Sequence, residues 1–379
     1  MYDVKVALAI GGIPARDWDA LATGASFYLS HDWLAYMEQN RSVRVRYVLA
    51  HDDGGLVAAA PVYSVPGERS PLYALSALGL TEHDSDTICL AGSRRCHHNA
   101  PLLRPGLSAD ARRTALDFLS AGVLDVMRDH GADEGWWLYV RDDAVAELAA
   151  SAGCAVPLLL DLDASIPLPG DSFDDYLGAF SRKRRARVRQ ELAAFRAAGY
   201  RLDLAPLGDR LDELAGLLCG TQRRHGHEMD PASAARYLAS LADGVRAPGA
   251  VLRCHLDDAL VGYGHYYDFG GTLWLRSTGY DYARLLGAAE YFVVCYYELV
   301  ATAYATGRDR VHLGIKSIEP KVRRGATATP LWAVPFGRAA EHWTAGRARA
   351  FNRRAADRLG GELGPYAGAS ISDTWARFT

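Results

Sequence analysis

The sequence predicts a mixed α/β protein of two tandem domains, each built on a mixed, mostly antiparallel central sheet. Three observations carry that expectation. The chain has 379 residues, more than one hydrophobic core usually organises, so two cores of roughly 150 to 200 residues are favoured. With 49% apolar and 23% charged residues, the composition is that of a globular protein and excludes disordered, collagen-like and disulfide-scaffold classes. Stretches with the strand period and the helix period alternate along the chain, separated by turn residues.

In the first half, Phe27, Leu29, Trp33, Leu34 and Met37 lie on a short helix expected over Ser26 to Gln39, with Ser30 or Asp32 as its cap. Val43 to Ala50 and Leu56 to Tyr63 flank Asp52-Asp53-Gly54-Gly55 and read as a hairpin. A helix from Ala109 to His130, a strand from Trp136 to Val140, a short helix from Asp142 to Ala152 and a strand from Leu158 to Asp161 complete an N-terminal domain, residues 1–163. Ala164 to Asp171, with Pro167, Pro169 and Gly170, reads as the linker.

The C-terminal domain, residues 164–379, opens with a long helix expected from Ser172 to Ala198 and stopped by Gly199. A strand (Tyr200 to Ala205), two helices (near Leu207 to His225 and Pro231 to Ala242) and a meander of Val251 to Leu256, Leu260 to Phe269 and Thr272 to Thr278 follow. A helix from Tyr282 to Thr306 and strands Arg310 to Leu313 and Leu331 to Phe336 finish it. Helix, antiparallel meander, long helix and strand is the order of an acyltransferase fold of the GNAT type. The first half reads as a shorter version of the same plan, without a residue-level repeat.

Charge and cysteine usage narrow the function classes. The net charge of −3 gives no global pull toward nucleic acid. The six cysteines include no C-x-x-C pair, so reduced, buried thiols are expected and no metal site is. The start of the chain has no apolar signal core and no apolar run is long enough to span a bilayer, so the expected address is the cytoplasm.

Four segments could carry chemistry. Arg182, Lys183, Arg184, Arg185, Arg187 and Arg189 put six cations into eight helical residues; the plain alternative is a solvated face, but Arg184 falls on the apolar stripe of Phe180 and Val188 and needs a carboxylate or phosphate partner. On the meander, His265 is either a satisfied core histidine or a proton acceptor, Arg276 lies on the next strand before Tyr280, and Gly262 and Gly264 leave room for something to approach the backbone. Arg284-Leu285-Leu286-Gly287-Ala288-Ala289 formally matches the loop with which GNAT enzymes cradle a pyrophosphate on backbone N–H groups, and an ordinary helix start is the alternative. Glu290 and Tyr297 share a flank of the helix that follows. Finally, only four residues are lysine (Lys5, Lys183, Lys316, Lys321) against an arginine bias, and two of them cluster with Arg324 and Gly325 in a polar loop. Chance clustering is the alternative there.

These segments resemble a known family. Ser172-Phe173-Asp174-Asp175-Tyr176-Leu177, Ser181-Arg182-Lys183-Arg184-Arg185, Val188-Arg189-Gln190-Glu191, Phe292-Val293-Val294-Cys295-Tyr296-Tyr297-Glu298 and Lys321-Val322-Arg323-Arg324-Gly325 look like successive motifs of the Fem-like, peptidoglycan-biosynthesis-type N-acyltransferases of the GNAT superfamily. The resemblance covers residues 170–336, with a looser echo in Phe27 to Leu34 and Leu56 to Tyr63. It implies two tandem GNAT-like domains and amide formation from an activated donor. Members of the wider group take an aminoacyl residue from aminoacyl-tRNA, and some relatives serve peptide natural-product pathways. This sequence lacks the long charged two-helix insertion of the cell-wall enzymes, which turns the expected acceptor toward a small soluble amine or peptide.

The leading expectation is therefore an aminoacyltransferase using aminoacyl-tRNA and no cofactor, with an acyl-CoA-dependent N-acyltransferase as the alternative and an inactive tRNA- or peptide-binding module as a third reading. Neither a nucleophile elbow nor a phosphate-binding Walker loop is present, which disfavours covalent catalysis and ATP use. The donor's phosphates are assigned to Arg182, Lys183, Arg184, Arg185 and Arg187. Lys321, Arg324, His265 and Glu290 are the candidate catalytic residues, and Lys316, Arg276, Tyr280 and Tyr297 the candidate substrate contacts. Lys321→Ala is expected to lower turnover without changing thermal stability.

Overall fold

The computed structural model describes residues 2–83, 85–369 and 372–379. The chain forms two compact units: residues 1–163 with 314–319 and 328–379, and residues 164–313 with 320–327. The expected contiguous C-terminal domain, 164–379, does not describe these units, because the chain returns to the first one twice.

In the first unit, β1 (Asp3–Ala7), α1 (Ala15–Ala22), α2 (His31–Met37), β2 (Arg44–Asp52), β3 (Gly55–Pro66), β4 (Thr87–Ala91), β5 (Leu102–Leu103), α3 (Ala109–Asp129), β6 (Glu134–Arg141) and α4 (Asp142–Ser151) follow in chain order, and β7 (Leu158–Pro167) leads out of it. Ser108 caps α3 by accepting from the Ala111 N–H, and Leu116, Leu119, Val123 and Val126 form its buried stripe. The hairpin of β2 and β3 pairs Arg44 with Ser64 at one end and Asp52 with Gly55 at the other, with a register shift between Ala50 and His51. The helix expected over Ser26 to Gln39 is split, because Ser26 caps a 3-10 turn (Phe27–Leu29) and Ser30, not Asp32, caps α2. β7 also runs through Pro167, so the first half of the expected linker is strand.

The second unit begins with α5 (Phe173–Gly178) and α6 (Arg182–Ala197), then β8 (Tyr200–Ala205), α7 (Leu211–Arg224), α8 (Pro231–Gly244), β9 (Gly249–Leu256), β10 (Ala259–Phe269) and β11 (Thr272–Tyr280). The single long helix expected here is interrupted because Ser181 is extended and caps α6 at the Arg184 N–H. α9 (Glu290–Phe292), a π-turn (Val293–Tyr297), α10 (Glu298–Ala305) and β12 (Arg310–Gly314) follow. The helix expected from Tyr282 starts eight residues later, since Gly287 and Ala289 both take left-handed backbone, at φ +74° and +64°.

α11 (Ile318–Val322) and β13 (Thr327–Gly337) come next, then α12 (Arg338–His342), α13 (Ala345–Leu363) and α14 (Asp373–Phe378). The first unit's sheet has the order β1-β2-β3-β4-β6-β13, with β5 on β3; the second's is β12-β11-β10-β9-β8. Each is an antiparallel meander followed by a helical crossover to one parallel strand, β4 beside β6 and β11 beside β12. The plan read from the sequence is thus present in both units. No described helix is long and apolar enough to cross a membrane.

The C-terminal segment holds the first unit through Asn352, which is fully buried. Its carbonyl accepts from the Leu159 N–H at 2.8 Å and its amide donates to Pro157 O and Phe378 O, each at 2.9 Å. Asn352→Ala should lower stability by on the order of 3 kcal/mol, because buried backbone groups lose their partners. Urea unfolding of the full chain measures this, and a midpoint within error of the parent would refute it.

Candidate functional site

A buried polar cluster of the second unit centres on Glu191, a carboxylate on α6 that is 5% exposed. Arg324 donates to its two oxygens at 3.2 and 3.3 Å, Arg187 donates to it from the helix surface at 2.9 Å, and the Tyr297 hydroxyl donates to it as well. The Arg324 Nε also donates to Tyr297 Oη at 3.1 Å, and its guanidinium lies over the Phe292 ring. Burial, with the Glu191 carboxylate beside it, pushes the Tyr297 phenol above its ordinary range. Tyr297 sits at the end of the π-turn, whose wider loop turns it toward α6. Sequence reasoning named Arg324 and Tyr297; it quoted Glu191 only inside a motif and missed it as their common partner.

Glu290 does something different. Its Oε1 accepts from the Tyr200 hydroxyl at 2.6 Å and from the Leu286 and Ala288 N–H groups at 2.9 and 3.1 Å. Burial alone would raise this carboxyl, and the hydrogen bonds outweigh it, leaving it below the usual glutamate value. The loop whose pattern suggested a pyrophosphate cradle therefore closes on an anion of the chain's own.

On the meander, His265 is 1% exposed, packs edge-on against Tyr267 and reaches Ser277 Oγ at 3.5 Å. Burial, with the Arg276 guanidinium beside it, pushes its imidazole down to about 3. A ring that stays neutral to such low pH is a poor acceptor for an ammonium proton. The space left by Gly262 is taken by Tyr280, whose ring would lie 2.6 Å from a Cβ there. Tyr280 is itself buried, with its hydroxyl 3.1 Å from Cys295 Sγ, and burial raises the Cys295 thiol to about 12. Beside the end of β11 a groove of 580 Å³ is lined by Leu217, Arg223, Arg224, Tyr280 and Tyr282, with Arg224 stacked 4.5 Å over Tyr282. Sequence reasoning passed over Arg223 and Arg224, whose only signal was two adjacent cations in the last turn of a helix.

Along α6 the cations divide. Arg182, Lys183 and Arg189 are exposed, and their side chains hydrogen-bond to no other described residue. Arg185 donates to Phe180 O at 2.6 Å. The inward direction expected of Arg184 is only partly realised: it is half-buried, with its guanidinium over the Phe180 ring, because the break at Ser181 turns α6 relative to the stripe assumed for one long helix.

The three cations of the polar loop are divided between the units, Lys316 in the first and Lys321 and Arg324 in the second. Lys316 pairs with Asp161 at 2.6 Å. Lys321 is 4% exposed and donates to Leu313 O at 2.8 Å. The room made by Gly325, at φ +89°, holds the Phe180 ring, 2.8 Å from where a Cβ would stand.

The architecture is the expected one of two GNAT-like units. Among solved structures it is similar to the crystal structure of FemX, at a TM-score of 0.61 and 11% identity, covering 87% of this chain and 98% of that one. It is also similar to the C-terminal domain of a putative lysylphosphatidylglycerol synthetase from Agrobacterium fabrum, at 0.51 and 13% identity over 86% and 92% of the two chains. A conserved protein of unknown function from Bacteroides thetaiotaomicron scores 0.53 at 12% identity over 88% and 99%. Likeness at such identities defines the fold. No family model matches the sequence, and no curated protein does.

Two predictions follow from the burial of these groups. Lys321→Ala should lower stability by about 1–3 kcal/mol, since Leu313 O loses a buried donor; this replaces the expectation of unchanged stability. A variant that melts like the parent yet has lost turnover would return Lys321 to the reacting atoms. For His265, the folded value of about 3 lies below the ordinary 6.5, so between them only the unfolded chain takes up the proton. Its contribution is complete above the ordinary value and is lost as pH falls toward the folded one. His265→Gln should therefore flatten the acid-side decline of urea midpoints, and parallel slopes in the two proteins would refute the assignment.

Proposed function

We propose that the chain is an N-acyltransferase that takes an aminoacyl group from aminoacyl-tRNA and forms an amide on the amine of a small molecule or peptide. The observation that carries this reading is the fold shared with FemX along 87% of this chain and 98% of that one. An aminoacyl ester is already activated, so the reaction needs a neutral amine held against the carbonyl carbon and donors aimed at the oxygen that becomes negative. The amine attacks, the tetrahedral intermediate collapses, and the ribose hydroxyl leaves with a proton. No covalent enzyme intermediate is required.

The residues fall into roles on this reading. Arg182, Lys183 and Arg189 offer free cations for the donor's phosphates, while Arg187 is shared with Glu191 and Arg185 with the backbone. Arg223, Arg224 and Tyr282 line an open groove together with Glu213 and Asp281, a lining of mixed charge suited to a polar substrate end. Arg324, held by Glu191, is the candidate donor to the developing oxyanion, and Tyr297, whose one hydroxyl proton goes to Glu191, positions it. Glu290, His265 and Lys321 position the scaffold around them. The alternative donor, acyl-CoA, is disfavoured by Glu290, because the N–H groups a pyrophosphate would use at Leu286 and Ala288 already serve that carboxylate.

The decisive assay supplies the full chain with charged tRNA and a panel of amines, with and without prior ribonuclease treatment. Amide formation should require intact tRNA, and replacing Arg182, Lys183 and Arg189 by glutamine should weaken tRNA binding and flatten its dependence on salt. Amide formed from an acyl-CoA and indifferent to ribonuclease would overturn the donor assignment.

A further inference from the structure

The first unit holds a cleft of 510 Å³ that the proposed reaction does not use. Leu72, Leu78 and Phe351 supply apolar lining, and its polar side chains are Lys316, Arg354, Arg358, Asp161 and Tyr139, whose hydroxyl donates to Leu72 O. All of these residues belong to the first unit.

The helix periodicity explains why the cations face the cleft. On α13, Phe351, Arg354, Ala355 and Arg358 stand at i, i+3, i+4 and i+7, one stripe of a helix. The adjoining stripe, with Ala348, Asn352, Leu359 and Leu363, is buried in the unit. Arg354 is exposed, and its side chain hydrogen-bonds to no other described residue. Arg358 is held in place by Leu160 O and by Glu362, each at 3.0 Å.

Lys316 reaches the cleft from a strained loop. Gly314, Lys316 and Ser317 all have left-handed backbone, at φ +69°, +65° and +47°, and each non-glycine residue there costs about 1 kcal/mol. The Lys316 ammonium pairs with Asp161 Oδ2 at 2.6 Å while 54% of the side chain remains exposed. The other Asp161 oxygen accepts from the Leu162 N–H at 2.8 Å. Asp161 thus neutralises one of three cations, and with Glu362 against Arg358 the guanidinium of Arg354 is left uncompensated beside the apolar lining.

We propose that this cleft binds a small organic anion, a carboxylate or phosphate monoester with an apolar or aromatic body. The body would lie on Leu72, Leu78 and Phe351, and the anionic head would be held by Arg354, with Arg358 and Lys316 at its flanks. The volume falls in the range of small-molecule sites, and a guanidinium fork suits either head group. The site is independent of the donor reading, because its test is binding alone.

Calorimetry and ligand-observed NMR on the full chain use three probes: phenylacetate, phenyl phosphate and neutral benzyl alcohol. At least one anion should bind saturably below about 10 mM, and benzyl alcohol should not compete. The tighter anion identifies the head group. The double variant Arg354→Gln/Arg358→Gln should weaken binding by about tenfold or more, whereas Arg353→Gln, exposed on α13 outside the cleft lining, should leave it unchanged. Lys316→Asn, which keeps a residue tolerant of left-handed backbone, should weaken it less. Absence of saturable anion binding, equal binding of the alcohol, or parental affinity in the double variant with unchanged melting would each overturn the proposal.

Discussion

The second unit is organised around one electrostatic requirement: a carboxylate, Glu191, buried from α6 must be fully paired. Its partners come from separate parts of the sequence, Arg187 one turn earlier, Tyr297 from the π-turn and Arg324 after α11. The Tyr176 hydroxyl donates to Arg324 O at 2.7 Å, which ties α5 to the same point. Removing one member of such a pair leaves an uncompensated charge and costs about 3–5 kcal/mol. The interaction is therefore less a source of net stability than a condition on geometry. It is satisfied only when α5, α6, the π-turn and α11 have all reached their places, so the position of the Arg324 guanidinium is set by the packing of four segments.

Glu290 applies the same principle to a backbone nest. A turn with left-handed residues at Gly287 and Ala289 points N–H groups inward, and burying them without acceptors would be costly. In the sequence pattern the expected acceptor is a ligand's pyrophosphate. In the structure it is a carboxylate two residues beyond the last N–H it accepts from, supported by Tyr200 from β8. A six-residue pattern specifies the turn but not the identity of the anion.

The sequence made the fold legible where signals were local. Alternation located the meander, and Asp52-Asp53-Gly54-Gly55 located the hairpin. Errors arose where one local signal cut across another: the apolar stripe from Phe173 to Phe195 implied a continuous helix, but the Ser181 cap interrupts it and rotates Arg184 with it. Non-local features were not legible. Nothing in Thr327 to Gly337 announces that it pairs with β6, and nothing in the arginines of α13 announces Asn352 reaching Pro157 and Leu159. The candidate site was read in the same uneven way: Arg324 and Tyr297 stood out as residue types, while the Glu191 that joins them lies more than a hundred positions away along the chain.

The two lysines that stand against the arginine bias show what residue type alone conveys. A lysine ammonium is compact and ends a slim stem, whereas a guanidinium is a broad planar fork needing several acceptors. Lys321 is buried and donates to the Leu313 backbone carbonyl inside the unit, where a broad planar fork would have to be enclosed instead. Lys316 meets a carboxylate that already accepts from the Leu162 N–H, reaching it from a left-handed position. Lys321 is enclosed, whereas 54% of the Lys316 side chain is exposed, so the steric reason for a slim ammonium applies at Lys321. The sequence reading placed Lys321 among the catalytic candidates and Lys316 among the substrate contacts on residue type and nearness along the chain, and in the structure the two lysines meet different acceptors. The physical meaning of each lysine is set by its acceptor, Leu313 O or Asp161, and neither acceptor is within reach of a reading that considers only neighbours in sequence.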